Sequence, residues 1–188
     1  KVVRPTKAYD AQGLRIPAIR EDDPVVFLEA KLLYQTEEDV PDEAYAIPFG
    51  EAEYVREGDD VTVVAVGPAM LHAKAAAERL ASEGIDCEII DPRTTSPLDE
   101  QTILESIERT GRLVVADESP PRCSLAADIA ATVAAKGYKS LRAPATTVTC
   151  PHTPAPFAPT SEDASPPTAS RPAPHGAHRQ TSCGTVRG

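Results

Sequence analysis

Val61-Thr62-Val63-Val64-Ala65-Val66 is an unbroken run of β-forming residues closed by Gly67-Pro68, and the alternation of elements that it begins decides the fold. Met70 to Ser82 is Ala-rich and helical, with Leu71, Ala75, Ala76 and Leu80 expected on one side and Gly84 as the stop. Cys87-Glu88-Ile89-Ile90-Asp91 is the next strand. Ser96 then reads as a helix cap, with Pro97 at the first helical position and Asp99 three residues after the cap. Ile103, Leu104 and Ile107 give that helix its apolar face, and Gly111 ends it. Leu113-Val114-Val115-Ala116 is a strand. A helix runs from about Ser124 to Lys136, with Leu125, Ile129 and Val133 four apart. Thr146 to Thr149 is a last short strand, and Glu51 to Arg56 precedes the whole set as another. Strand and helix alternate at short spacing, which predicts an α/β fold with a mostly parallel sheet covered on both faces.

Outward from this unit the sequence is less regular. Tyr9 to Glu21 predicts a short helix with Asp10 as its cap, although Pro17 removes a hydrogen bond inside it. Pro24 to Glu29 reads as a compact buried strand. Residues 35–48 are acidic, contain Pro41 and Pro48, and read as a linker crossing a surface. After about residue 164 the composition changes: 165–188 holds no acid, three Arg and four Pro, and no Leu, Ile or Phe. Such a segment buries little, so it is expected to be a disordered and aberrant tail. It matches what a shifted reading frame in GC-rich DNA would encode. Residue 1 is Lys with no signal segment after it, so the sequence reads as starting inside a longer chain.

Net charge and cysteine spacing narrow the function classes. With 19 Lys+Arg against 29 Asp+Glu the chain carries −10, a poor match to nucleic acid or an anionic membrane surface. No apolar run approaches the ~20 residues that span a bilayer. Cys87, Cys123, Cys150 and Cys183 are too far apart for paired zinc ligands and too sparse for a disulfide framework. Reduced thiols in a cytoplasmic protein are the expectation.

Parallel sheets bind ligands at the carboxyl ends of their strands, so four loops are candidates. Gly67-Pro68-Ala69-Met70 is too short and too poor in Gly to cradle a phosphate. Asp91-Pro92-Arg93-Thr94-Thr95-Ser96 offers Asp91 and Arg93, a pair more often used to fix a loop than to hold a ligand. Asp117-Glu118-Ser119-Pro120-Pro121-Arg122 leads into Cys123, near a helix N-terminus that lowers thiol pKa, but no His is close in sequence to act as its base. A packed apolar Cys is the plainer reading. Thr149-Cys150-Pro151-His152-Thr153-Pro154 carries His152 between prolines, expected to anchor a turn; His175 and His178 fall in the tail. Read from residues alone, the chain is a cytosolic α/β domain without a self-contained active site.

Six stretches, taken together in order and spacing, carry a family resemblance. They are Tyr9 to Leu14, Asp23 to Glu29, Ile47-Pro48-Phe49-Gly50, Arg56 to Thr62, Asp91 to Asp99 and Thr110 to Val115. As a set they resemble the beta subunit of thiamine-diphosphate-dependent 2-oxo acid dehydrogenases, the pyruvate and branched-chain dehydrogenase family. Asp117 to Cys123 and Pro151 to Phe157 look most like its acetoin dehydrogenase branch.

The resemblance implies a three-layer transketolase C-terminal-type domain whose mostly parallel sheet includes one antiparallel strand. It divides the chain into the end of a pyrimidine-binding domain (1–35), a linker (36–49), the C-terminal domain (50–164) and the tail (165–188). It implies an oxidoreductase that decarboxylates a 2-oxo acid or cleaves acetoin and passes the acyl group to a lipoyl acyltransferase core. Thiamine diphosphate and magnesium would be bound by the complete assembly of alpha and beta subunits, an alpha2beta2 tetramer. The activating glutamate of that family would precede Lys1, and its diphosphate motif belongs to the alpha subunit. No catalytic, cofactor-binding or metal-binding residue is therefore carried onto 1–188, and the chain alone is expected to be inactive. Arg142 is the candidate for docking on the core; the pyruvate type often has an acid there, so Arg142 reverses the charge. Pro92 and Pro17 also depart from the family pattern. Which 2-oxo acid is used stays open, as does a non-catalytic regulatory or scaffolding role for the same fold.

Overall fold

The computed structural model describes residues 1–158. Its main sheet has five strands, β3 (Glu53–Arg56), β4 (Val61–Ala65), β5 (Cys87–Asp91), β7 (Leu113–Ala116) and β8 (Thr146–Val148), in the order β3-β5-β4-β7-β8. The pairs β5-β4, β4-β7 and β7-β8 are parallel, and β3 alone runs antiparallel, against β5. A second, three-stranded sheet joins β1 (Val2–Val3), β2 (Val26–Phe27) and β6 (Thr94–Ser96), in the order β2-β1-β6.

Helices cover both faces of the main sheet. On one face α3 (Glu100–Thr110) and α4 (Leu125–Lys136) bring Ile103, Ile107, Ala126, Ile129 and Val133 onto Val64, Ile90, Leu113 and Val115. On the other, α2 (Ala69–Ser82) sets Met70, Ala73 and Ala77 against Ala65, Cys87 and Ile89. The result is the expected three-layer arrangement. Burial on both sides explains why β5 has every residue buried and reads in sequence as a continuous apolar run around Glu88. The buried face of α2 differs from the expected one. Met70, Ala73 and Ala77 meet the sheet and Leu80 packs partly against it, whereas Leu71 is exposed.

The start of α3 also differs. Ser96 belongs to β6, where it pairs with Val2, and Ser96-Pro97 is a cis peptide bond. Asp99 is the cap instead, accepting from Thr102 N–H at 3.1 Å and from Thr102 Oγ1 at 2.6 Å. Gly111 closes the helix at φ 70°, and its N–H donates to Ile107 O. Ser124 caps α4 through Ala127 N–H.

The first helix, α1 (Ala8–Arg20), contains Pro17 as expected. A proline at 17 leaves the carbonyl of residue 13 without its helical donor. Ile47 N–H fills that vacancy, donating to Gly13 O at 2.9 Å. Gly13 is what admits the partner: a Cβ there would lie 2.6 Å from Ile47 Cδ1 and 2.7 Å from Tyr45 Cε2. Val3, Leu14 and Ile47 form a small core at this junction, with Tyr9 stacked on Tyr45 at 4.4 Å between centroids. Asp10 does not cap α1. Lys7 occupies the cap position without a side-chain bond, and Asp10 is fully buried in the first turn.

The segment 24–29 is not a buried strand. Only Val26–Phe27 pair, at the edge of the small sheet, with Val26 52% and Leu28 45% exposed. No helix among the described residues is long and apolar enough to cross a membrane. The tail from 165 lies outside the described residues.

Candidate functional site

Five charged side chains, Lys7, Asp10, Glu53, Asp91 and Arg93, cluster where α1, β3 and the loop after β5 meet. Asp91, the last residue of β5, is buried; its Oδ1 accepts Arg93 N–H at 2.8 Å and its Oδ2 accepts from Thr6 Oγ1. Those bonds hold the loop with Arg93 at φ 55°, a left-handed conformation that turns its side chain back across the sheet edge. The Arg93 guanidinium then meets Asp10 Oδ1 at 2.8 Å and Glu53 Oε2 at 3.0 Å. Lys7 Nζ reaches the other Glu53 oxygen at 2.6 Å. Oxygens of Asp10, Glu53 and Asp91 all lie within 4.8 Å of one another.

Electrostatics here are set by burial. Asp10 is pushed up to about 6, first because burial disfavours its charge and then because Asp91 and Glu53 stand nearby; Arg93 and Lys7 pull the other way without winning. Asp91 is also raised, chiefly by burial, against the bonds from Thr6 and Arg93. Neither Asp10 oxygen receives a hydrogen bond of good geometry, so its contact with Arg93 is ionic.

The expectation that Asp91 and Arg93 fix a loop agrees with the structure, but not through a direct side-chain pair. Asp91 holds the Arg93 backbone, and the Arg93 side chain serves Asp10 and Glu53. Sequence reasoning missed Asp10, Glu53, Lys7 and Thr6 as members. The available signal was Asp10 inside Tyr9-Asp10-Ala11-Gln12-Gly13-Leu14, an acid on the buried side of a short helix.

At the carboxyl ends of β4, β7 and β8 the other candidate loops converge. Arg4 lies across Gly67, which has φ 59° and whose notional Cβ would sit 2.5 Å from Arg4 Nε. Arg4 Nη1 is 3.7 Å from Asp117 Oδ1, and Asp117 is buried. Glu118 is raised by burial, with Arg4 and His72 opposing the shift. Cys150 is raised by burial and by Glu118 and Asp117, which disfavours its thiolate. Cys123 is exposed, at φ 53°, just before the Ser124 cap. A groove of about 640 Å³ runs there, lined by Arg4, Leu28, Thr95, Cys123, Ser124 and Asp128 among others. His152 is exposed beside the turn closed by Thr153 N–H and Pro151 O. Arg142 is exposed and lies against Gly111; its N–H donates to Gly111 O at 2.7 Å.

The residues present do not suit a diphosphate with its metal ion. The one triad of carboxylates among the described residues is occupied by Arg93 and Lys7, and the lining of the groove holds one cation, Arg4, and one carboxylate, Asp128. What the arrangement can do is hold segment 1–20 on the sheet edge.

Residues 50–171 match the family model described as the transketolase C-terminal domain. The chain is 56% identical over 163 residues to the acetoin:2,6-dichlorophenolindophenol oxidoreductase subunit beta of Cupriavidus necator, covering 87% of this chain and 48% of that protein. It is 50% identical over 163 residues to the protein of the same name from Bacillus subtilis, with the same coverage. It is 43% identical over 158 residues to the pyruvate dehydrogenase E1 component subunit beta of Bacillus subtilis, covering 84% of this chain and 49% of that protein. A solved structure described as a split-gene transketolase, inactive beta4 tetramer, superposes with a TM-score of 0.66 at 25% identity, covering 79% of this chain and 48% of that one. The chain spans about half the length of the curated relatives it matches.

Proposed function

Because the chain belongs to the transketolase C-terminal domain family, we propose that it is the second half of a dehydrogenase beta subunit, of the acetoin- or pyruvate-cleaving kind. The observation that carries the reading is the 56% identity to an acetoin oxidoreductase beta subunit over 163 residues, a longer span than the family domain at 50–171. On this reading residues 1–35 complete a pyrimidine-binding domain, 36–49 are the linker, and 50–164 form the C-terminal domain. The whole enzyme decarboxylates a 2-oxo acid, or cleaves acetoin, and hands the acyl group to a lipoyl acyltransferase core. Thiamine diphosphate supplies the carbanion-stabilising chemistry, with magnesium, in an assembly that includes an alpha subunit in an alpha2beta2 tetramer.

The role of the present residues is assembly. The five-stranded sheet gives a rigid body, and the Arg93 cluster fixes the preceding domain's last helix to it. Arg142, exposed beside the end of α3, is the proposed contact with the core, and its positive charge calls for an acidic counterpart there.

The test is reconstitution. The chain is combined with the upstream half of the Cupriavidus subunit and an alpha subunit, and acetoin- or pyruvate-dependent reduction of dichlorophenolindophenol is monitored. Dye reduction dependent on all three pieces supports the reading. Assembly without dye reduction favours the scaffolding role, and failure of folded pieces to associate overturns the proposal.

A further inference from the structure

The cluster joining α1 to the sheet edge contains three carboxylates, Asp10, Glu53 and Asp91, and two cations, Lys7 and Arg93. The sum is two positive and three negative charges, so one negative charge is left over. Asp10 and Asp91 are almost wholly shielded from water, and an unbalanced charge in such a place is expensive. A metal cation or a proton could balance it. A divalent ion would set four positive charges against three, and any metal cation, monovalent or divalent, would have to enter beside Arg93 and Lys7, which repel it. A proton balances the count and needs no space. The geometry therefore points to the proton.

We propose that this cluster is a proton-controlled latch: it takes up one proton, on Asp10, when α1 docks, so mild acid tightens the attachment of segment 1–20 and rising pH loosens it. The proposal goes beyond the enzymatic reading and holds whether or not that reading does. Charged and titratable groups face Asp10 from every element packed around it, Asp91 and Glu53 favouring its proton and Arg93 and Lys7 opposing it. Its own helix contributes Lys7; β3 contributes Glu53; β5 and its loop contribute Asp91 and Arg93; and the segment before β3 contributes the Tyr45 hydroxyl, whose own ionisation burial and Asp10 disfavour. Of the three acids, Asp10 is the one without a hydrogen-bond donor on either oxygen, whereas Asp91 accepts two hydrogen bonds and Glu53 accepts from Lys7.

Linkage sets the sign. A carboxyl raised from 3.8 to about 6 binds more protons in the docked state than in the free state between those values. Docking therefore weakens as pH rises through that window, by up to roughly a hundredfold, and is flat above it. The experiment uses the full chain. Amide hydrogen exchange of α1 is measured at pH 4.5, 5.0 and 7.5, corrected for intrinsic exchange rates, with α4 as an internal control. The Asp10 carboxyl is tracked in parallel by carbon NMR. The expected result is an Asp10 midpoint near 6 and a fall of tenfold or more in α1 protection from pH 4.5 to 7.5 that α4 does not share. Asp10→Asn abolishes that fall. An Asp10 midpoint at or below 4, or α1 protection that does not change with pH, overturns the proposal. So does full restoration of protection at pH 7.5 by millimolar magnesium, calcium or potassium, since a metal cation would then be the balancing charge. If Asp10→Asn does not fold, the wild-type midpoint and exchange profile decide.

Discussion

Replacing Arg109 by Met should destabilise the chain by about 2–4 kcal/mol, and replacing Glu88 as well should recover most of that loss. Glu88 points from the middle of β5 and is fully buried, with one oxygen in contact with Arg109 Nη2 and the other without a hydrogen-bond partner. Arg109 stands on α3, with its guanidinium 5.7 Å from the centroid of the Tyr54 ring. Removing one member of a buried ion pair typically costs ~3–5 kcal/mol, because the partner's charge stays buried and uncompensated. Arg109 is itself 48% exposed, so water reaches the vacated position and brings the cost toward the lower end of that range. The stem of Met retains contact with Tyr54, which keeps lost packing out of the comparison. In the double variant Glu88→Met with Arg109→Met no charge is left behind, and such replacements are often neutral or stabilising by ~1–4 kcal/mol. The assay is urea unfolding monitored by circular dichroism at pH 7.5. With a denaturant slope of about 2 kcal/mol/M, a loss of about 3 kcal/mol lowers the midpoint by roughly 1.5 M. A single variant within ~0.5 kcal/mol of wild type would refute the reasoning, and so would a double variant that loses the sum of the two single effects.

Other contacts carry three further expected outcomes. Gly58→Ala places a Cβ 2.5 Å from the Cys87 carbonyl carbon, so it should cost ~2 kcal/mol or more, whereas Gly84→Ala meets nothing within 4 Å and should cost only the ~1 kcal/mol of its positive φ; melting temperatures separate the two. Burial opposes ionisation of Asp99, but hydrogen bonds from Thr102 and Ala52 outweigh it and lower its pKa. Its stabilisation is therefore full above the ordinary carboxylate range and lost as pH falls through the lowered value; Asp99→Ala should cost ~1–2 kcal/mol at pH 7, with the gap to wild type narrowing in acid-titrated unfolding curves. Arg142→Glu should leave stability within ~0.5 kcal/mol and change only binding to the acyltransferase core, in which a pull-down showing equal capture of both forms would remove Arg142 from the docking surface.

The sheet was legible because its signals are local. β5 and β7 appear in full from runs of branched residues, and Gly111 marks the end of α3 with the backbone conformation it permits. Legibility failed where one short segment answers to a distant one. Ser96 has the sequence of a cap, yet it is taken by β1, at the far N-terminal end of the chain, and the cap passes to Asp99. Val2–Val3 is too short to announce a strand alone. Leu71 looked like the core of α2 because size suggests burial, while the face that meets the sheet carries Met70, Ala73 and Ala77. In the charge cluster, Asp91 and Arg93 stood out because they share a loop. Asp10, Glu53 and Lys7 come from other places in the chain; the one local sign was an acid on the buried side of α1, which names no partner.

The proline within α1 has a consequence for the order of assembly. A peptide of residues 8–20 would carry a helix with an unpaired carbonyl at its centre, and short helices are marginal even without such a gap. The donor that closes the gap is Ile47, which arrives only when the chain has travelled through 24–46 and returned. Helix and return segment are thus each incomplete alone. Melting of one should carry the other with it, so that residues 8–20 and 45–47 lose their exchange protection together, as one cooperative unit separate from the five-stranded sheet.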